Sequence, residues 1–199
     1  MTEKEKMISG KLYVAFGDEL CGDRKKAKKL LFSYNHTDCM DGIPSSPLLK
    51  ELLGSTKKDF YIEPPFYCDY GYNIHVGEKF YANYNFTVLD GAKVIIGDNV
   101  LIGPNVSLFT AGHPVNADLR NQDLEYAFPI TIGSNVWIGG GTIVNPNITI
   151  GDNVVIGSGS VITHDIPSNV VAVGNPCRVL RGIGEQDKKE YFKGHFVEE

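Results

Sequence analysis

One seven-residue phrase returns along this chain at fixed intervals, and its return limits the fold more than any other feature. Val94-Ile95-Ile96-Gly97-Asp98-Asn99-Val100 comes back as Ile130-Thr131-Ile132-Gly133-Ser134-Asn135-Val136 and as Ile148-Thr149-Ile150-Gly151-Asp152-Asn153-Val154. A looser copy is Ile74-His75-Val76-Gly77-Glu78. Hexapeptide steps run through these phrases: Ile130, Val136, Thr142, Ile148, Val154, Ser160, Ile166. Ile130 and Ile148 stand 18 residues apart, which is three hexapeptides. That spacing describes a triangular coil with three short flat sides and an aliphatic residue pointing inward from each. A single coil cannot bury its apolar face, so stacking must supply the core. A hexapeptide period therefore predicts a parallel β-helix. Gly or Asn at the corners is expected to take the positive φ that other residues resist. The period leaves the hand open, and general chirality rules favour right-handed crossovers.

Two irregularities interrupt the repeat. Val94 to Ile130 spans 36 residues, twice the coil length, and residues 111–129 carry no hexapeptide pattern. These residues are expected to leave the helix as a loop of about one coil's length. Long loops in compact domains are commonly functional. A smaller insertion near Asp90-Gly91-Ala92 lengthens the preceding coil by two residues.

The repeat divides the chain. Residues 1–56 read as helical: residues 11–16 and 24–34 are amphipathic, Pro44 and Pro47 break the pattern, and residues 48–53 resume it. Residues 57–183 hold the β-helix, and residues 184–199 close the chain as a tail whose polar character begins at Arg178. Residues 188–192 fit a short helix or an extended arm. The basic run at residues 24–29 resembles a nucleic-acid patch, but Leu30, Leu31 and Phe32 follow it, so it reads as a solvated helix face. The net charge of -5 gives no general attraction to nucleic acid or acidic membranes. No apolar run approaches the roughly 20 residues of a membrane span. The charged stretch Met1 to Gly10 lacks a signal core, so a cytoplasmic location is expected. Cys21, Cys39, Cys68 and Cys177 form no C-x-x-C pair. They are expected to be free thiols, with no metal site.

Several motifs then converge. Cys68-Asp69-Tyr70-Gly71-Tyr72-Asn73-Ile74, Phe80-Tyr81-Ala82-Asn83, Thr110-Ala111-Gly112-His113-Pro114, Asn135-Val136-Trp137-Ile138-Gly139-Gly140 and Gly174-Asn175-Pro176-Cys177-Arg178 resemble the maltose/galactoside O-acetyltransferase family. The leader Thr2-Glu3-Lys4-Glu5-Lys6-Met7 and Tyr34-Asn35-His36 match as well, so the resemblance covers nearly the whole chain. It implies a left-handed β-helix and acetyl-CoA as co-substrate, with no permanently bound cofactor. It further implies a small sugar acceptor and a homotrimer with active sites between subunits.

The chemistry needs a base, because a sugar hydroxyl is a weak nucleophile while a thioester is a good acyl donor. Histidine, with a reference pKa of about 6.5, suits that role at neutral pH. His113 begins the extruded loop, before a proline that fixes the local backbone, and the resemblance gives it the same role. A loop-capping histidine is the structural alternative. Glu125, near the end of that loop, resembles the family glutamate that orients the catalytic imidazole. Asn83 matches the family asparagine at the acceptor and reaction centre, where an amide donor can face oxyanion charge; it also fits a simple β-helix corner. Asp69 falls where maltose-type members carry Asp and galactoside-type members carry Ser. Gly91 and Ala15 replace two acceptor-contacting Asp residues of the galactoside type, leaving the neighbouring Asp90 as a candidate acceptor contact. The pattern is closer to the maltose type.

The acetyl-CoA side rests on Trp137, Gly140, Ser158, Thr163, His164, Arg178 and Arg181, which match family CoA-binding positions. Gly140 stands where galactoside members have Ser. His164 stands where members commonly have Lys, which removes a permanent charge. Arg178 and Arg181 carry guanidinium groups suited to phosphate. An antibiotic acceptor on the same fold is the alternative reading. A zinc enzyme with three histidine ligands is less well served, because His75, His113 and His164 are widely spaced in the repeat.

Overall fold

The computed structural model describes residues 1–37 and 44–198. Short strands stack into three parallel sheets that form the faces of a prism of about six turns. The first face stacks Ile74–Val76, Val94–Ile96, Ile130–Ile132 and Ile148–Ile150. The second stacks Phe60–Ile62, Phe80–Ala82, Leu101–Ile102, Trp137–Ile138, Val154–Ile156 and Val170–Val173. The third stacks Phe66–Cys68, Phe86–Leu89, Ser107–Phe109, Ile143–Val144 and Val161–Ile162.

Register follows the repeat. Ile130 pairs with Val94 on one side and with Ile148 on the other. The inward ladder Ile74, Val94, Ile130, Ile148 is buried throughout. Each such side chain contributes roughly 1.5–3 kcal/mol on burial, and the continuous column is what holds coil on coil. The direct pairing of Val94 with Ile130 also confirms that the extra coil's length lies outside the stack.

The corner chemistry follows the sequence reading. Asn99, Asn105, Asn135 and Asn153 lie at φ of 55°, 58°, 58° and 53°, and Gly141 and Gly159 at 71° and 72°. Gly97 serves close approach instead. A Cβ there would stand 2.6 Å from the Ser134 hydroxyl oxygen and 2.7 Å from the Gly133 carbonyl carbon.

The two-residue insertion at 90–92 has a companion above it that the sequence reading missed. Phe66 pairs with Phe86 and Phe60 with Phe80, so residues 69–73 also lengthen their coil. The two insertions and the extruded segment leave the prism at one corner, between the third and first faces. Polar contacts join them. Asp90 accepts from the Asp69 and Tyr70 amides at 3.0 and 2.8 Å. The Thr110 hydroxyl donates to the Leu89 carbonyl at 2.6 Å and accepts from the Ala92 amide at 2.9 Å.

The N-terminal segment packs on this corner. Helix α1 (Glu3–Ile8) opens with a capping box between Thr2 and Glu5. Helix α2 (Asp18–Asn35) is tied to it by Lys4 and Asp23 at 2.7 Å. Met7, Tyr13, Ala15 and Leu20 form a second apolar cluster with Tyr70, Ala92 and Ala127 of the corner. Residues 11–16 are not the helix expected. Tyr13–Val14 is a strand paired antiparallel with Leu124 and Glu125, because the arm offers an open edge there. At its far end α2 is anchored by the Tyr34 hydroxyl donating to the Ile62 carbonyl. Helix α3 (Pro47–Leu52) then leads into the first coil.

The extruded segment has structure of its own. Ala111–Gly112 pairs antiparallel with Tyr126 and Ala127, and a short helix α4 (Ala117–Arg120) crowns the arm. The last residues are less tail-like than expected. Arg178–Gly182 adds an antiparallel strand to Val170–Val173, and Glu190–Phe192 pairs with His195–Phe196. Residues 188–192 thus follow the extended alternative for most of their length. Cys21, Cys68 and Cys177 are free, and Cys39 lies outside the described residues. Among the described residues no helix is long and apolar enough to cross a membrane.

Candidate active site

His113 follows the strand Ala111–Gly112 at the root of the arm, and its ring is exposed in the single chain. Its Nδ1 lies 3.3 Å from the Leu124 carbonyl oxygen. A carbonyl only accepts, so this contact requires the proton on Nδ1. The Nε2 lone pair is then free to take a proton.

Glu125, the next residue along the arm, does not hold the imidazole in this structure. Its carboxylate accepts from the Tyr13 hydroxyl at 2.9 Å. Burial first, and then Glu125, push the Tyr13 phenol upward, so it stays a neutral donor. Asp69 lies in the same electrostatic neighbourhood. Its acidity is weakened chiefly by burial, with the Arg24 guanidinium acting against that and Glu125 adding to it. Arg24 donates to the Tyr70 hydroxyl and to the Ala15 carbonyl, each at 2.6 Å. Two carboxylates, two phenols and one guanidinium therefore converge beside the arm. Such a cluster can accept hydrogen bonds from several hydroxyl groups of one ligand.

Asp90 departs from the sequence reading. It is fully buried, and one carboxylate oxygen holds the Asp69 and Tyr70 amides. Burial pushes its pKa up to about 7. It supports the corner that carries Asp69 rather than reaching an acceptor itself. Gly91 beside it leaves room for a neighbour: a Cβ there would stand 3.3 Å from the Tyr13 hydroxyl oxygen.

Asn83 lies elsewhere, at the edge between the second and third faces. Its amide donates to the Ile102 carbonyl at 2.9 Å, and its side chain accepts from the Tyr84 amide at 2.7 Å. Gly140 and Ser158 follow on the same edge in later coils, as the bonds from Gly103 to Ile138 and from Gly139 to Ile156 show. Trp137 projects from the second face just before that edge, 54% exposed between Leu101 and Val155. Arg178 pairs with Val173 where the edge ends. Thr163 and His164 lie on the opposite edge of the third face, and the Thr163 hydroxyl is 2.9 Å from His164 Nδ1. His164 and Arg178 line one groove of about 310 Å³. Arg181 is engaged by Asp187 through both guanidinium nitrogens at 2.6 and 2.9 Å. Among the described residues no group of three or more His, Cys, Asp and Glu could hold a metal ion.

Sequence reasoning missed Tyr13, Arg24 and Tyr70. Tyr13 was read within a helix, and Arg24 within a solvated basic run. Lys25, Lys26, Lys28 and Lys29 are indeed exposed, while Arg24 turns inward. No local spacing signals either role, since the partners lie far away along the chain.

Comparison with known proteins places these elements. Residues 6–57 match the maltose acetyltransferase hexapeptide capping motif. Residues 129–164 match bacterial transferase hexapeptide repeats, and residues 93–112 match the hexapeptide repeat of succinyl-transferase. The chain is 48% identical to the galactoside O-acetyltransferase of Escherichia coli, over 100% of this chain and 98% of that protein. The solved structure of a galactoside acetyltransferase in complex with coenzyme A superposes with a TM-score of 0.93 at 48% identity, covering 100% of both chains. A maltose O-acetyltransferase from Clostridium difficile gives a TM-score of 0.86 at 53% identity, over 93% of this chain and 99% of that one.

Proposed function

The chain belongs to the maltose/galactoside O-acetyltransferase family of left-handed β-helix enzymes, and from that premise we propose that it moves acetyl from acetyl-CoA to a hydroxyl of a small sugar. The His113 geometry carries this reading: an exposed imidazole with Nδ1 turned to a carbonyl, beside a cluster of groups that suit polyhydroxy ligands. His113 Nε2 takes the proton as the hydroxyl oxygen attacks the thioester carbon. The tetrahedral intermediate collapses with loss of the CoA thiolate, which receives the proton from His113. Products are the O-acetyl sugar and free CoA, and no acetyl-enzyme forms. Asp69 is the acceptor contact, with Glu125 placed to assist it. The Asn83 amide faces the developing oxyanion.

Acetyl-CoA is expected to run along the edge that carries Asn83, Gly140 and Ser158, past Trp137, toward Arg178 and Arg181, with Thr163 and His164 on the opposite edge facing it from the neighbouring chain. Coils stack at about 4.8 Å, so this track suits an extended pantetheine arm. Asn83 and His113 sit on opposite edges of the third face, with a strand of four residues between such edges in Phe86–Leu89. At roughly 3.3 Å per residue, one chain keeps them too far apart to act on one atom. A homotrimer resolves this by bringing His113 of one chain to Asn83 of the next.

The test is His113→Ala. Acetyl transfer should fall about 10²- to 10⁴-fold with acetyl-CoA binding intact. Near-unchanged transfer would remove the assigned role. An acceptor panel followed by CoA release separates sugars from antibiotics, and strong preference for a drug over every glycoside would overturn the sugar acceptor. Mixing inactive His113→Ala and Asn83→Ala chains should restore partial activity, which a site within one chain would not allow.

A further inference from the structure

Asp90 is fully buried, yet the loop that carries Asp69 is folded around it. We propose that Asp90 is a positioning residue for acceptor binding: it fixes the 69–73 backbone so that the Asp69 carboxylate is presented to the acceptor hydroxyl. The inference rests on the sugar reading above and deepens it.

Three observations carry it. The first is a clamp on both ends of the insertion. One Asp90 carboxyl oxygen accepts from the Asp69 and Tyr70 amides at 3.0 and 2.8 Å. The Asp90 carbonyl accepts from the Asn73 side-chain amide at 2.6 Å. Between these points Gly71 takes a φ of 81°, and a Cβ there would stand 2.5 Å from a Leu52 methyl carbon. The loop is thus held to one path, with Asp90 inside it. Tyr70, Asn73 and Asp90 are buried within one chain, so a neighbouring subunit leaves these contacts as they are.

The second is a division of charge. Burial pushes the Asp90 carboxyl up to about 7, with the Tyr70 amide acting against it and Asp69 adding to it. Its second oxygen is buried with no hydrogen-bond partner among the described residues. Asp69 is only half-buried and has the Arg24 guanidinium to favour its charge. Two carboxyl groups in such different surroundings divide two roles. Neutral Asp90 holds the backbone, and Asp69 carries the charge that accepts the hydroxyl.

The third is that nothing nearby compensates a charge on Asp90. Cys68 and Tyr72 feel Asp90, and burial keeps both neutral. The Tyr13 and Tyr70 phenols are likewise raised by burial. Arg24 and Glu125 act on Asp69, and Lys93 is exposed. Loss of the Asp90 proton therefore leaves an unpaired buried charge beside Asp69, which the corner receives only by loosening.

The experiment measures kcat and both KM values by CoA release on the wild-type chain, Asp90→Asn and Asp90→Ala, from about pH 6 to about pH 8. The acceptor is maltose or methyl β-galactoside, whichever the wild-type chain turns over faster. Near pH 6, Asp90→Ala should raise the acceptor KM about tenfold, with kcat and the acetyl-CoA KM nearly unchanged. Asp90→Asn keeps an oxygen for the two amides and should recover most of that loss. Across the pH range the acceptor KM should rise about threefold in the wild-type chain and stay flat in Asp90→Asn. His113 is common to both chains, so the ratio of their KM values reports Asp90. Equal acceptor KM in all three chains overturns the proposal. So does an equal rise in both KM values, or a fall in kcat alone, either of which marks a purely structural residue. Parallel pH profiles for the wild-type chain and Asp90→Asn overturn it too. Turnover of neither glycoside by the wild-type chain overturns the sugar reading itself and the proposal with it. If Asp90→Ala does not fold, the two pH profiles decide the point.

Discussion

The Tyr13 hydroxyl donates to the Glu125 carboxylate at 2.9 Å, across 112 residues of sequence. Tyr13 is 2% exposed and sits in the apolar cluster that joins the N-terminal segment to the corner insertions. The contact therefore couples the packing of the N-terminal segment to the arm that carries His113. Tyr13→Phe keeps the ring and removes the donor. It should cost about 1 kcal/mol of stability and lower kcat about tenfold, since the Glu125 carboxylate is released beside the acceptor site. Thermal unfolding and steady-state kinetics on the same preparation check both effects. A loss of stability with full kcat would make the contact structural only.

Asp90 predicts an unusual pH dependence. Its folded pKa is raised to about 7 by burial, against about 3.9 in an unfolded chain. Between these values the unfolded state has lost a proton that the folded state keeps. Stability contributed by the neutral carboxyl is full below about pH 4, falls as pH rises, and levels off above about pH 7. Asp90→Asn retains an acceptor for the Asp69 and Tyr70 amides without titrating. Denaturant unfolding from pH 4 to 8 should show this decline in the wild-type chain and its absence in the variant. Parallel curves would refute the assignment.

Gly97 and Asn99 lie two residues apart in one repeat phrase and should respond to opposite changes. Gly97→Ala forces a Cβ into Ser134 and Gly133 of the next coil, and a cost of about 1–3 kcal/mol is expected. Asn99 has φ near 55°, so Asn99→Gly should be almost neutral and Asn99→Ala should cost about 1 kcal/mol. Chemical denaturation of the three variants gives the ranking.

Arg181 offers a test of the phosphate side. Its guanidinium holds the Asp187 carboxyl down at about 2, and the pair is exposed to solvent. Asp187→Asn releases Arg181, so KM for acetyl-CoA should fall two- to threefold at low salt, with the gain fading at high salt. Arg181→Ala should raise KM. If neither variant moves KM, Arg181 is no phosphate contact.

The hexapeptide stack was legible because every contact in it obeys one spacing. A residue such as Ile130 finds its neighbours Val94 and Ile148 by counting coils, and burial of the column rewards that register alone. The position of His113 at the root of the arm was legible too, because it stands where the period stops; its role as base is proposed. Asp90 was misread because spacing says nothing of burial: it stands beside Gly91 in sequence, yet its carboxyl turns inward under Asp69. The 69–73 insertion was missed because one extra pair of residues between Phe66 and Ile74 leaves the local phrase intact and shows only in the pairing register.

By itself, then, the sequence determined the coil, its core ladder and the place where the arm leaves it, since a period fixes neighbours wherever it holds. Tertiary structure alone decided what meets at the corner where the period fails. Tyr13 was predicted to be helical and became a strand because the arm offered it an edge. Arg24 left a row of solvated lysines because Tyr70 and the Ala15 carbonyl stood within reach. Those choices depend on groups that only folding brings together, and they are the ones that surround Asp69, Glu125 and His113.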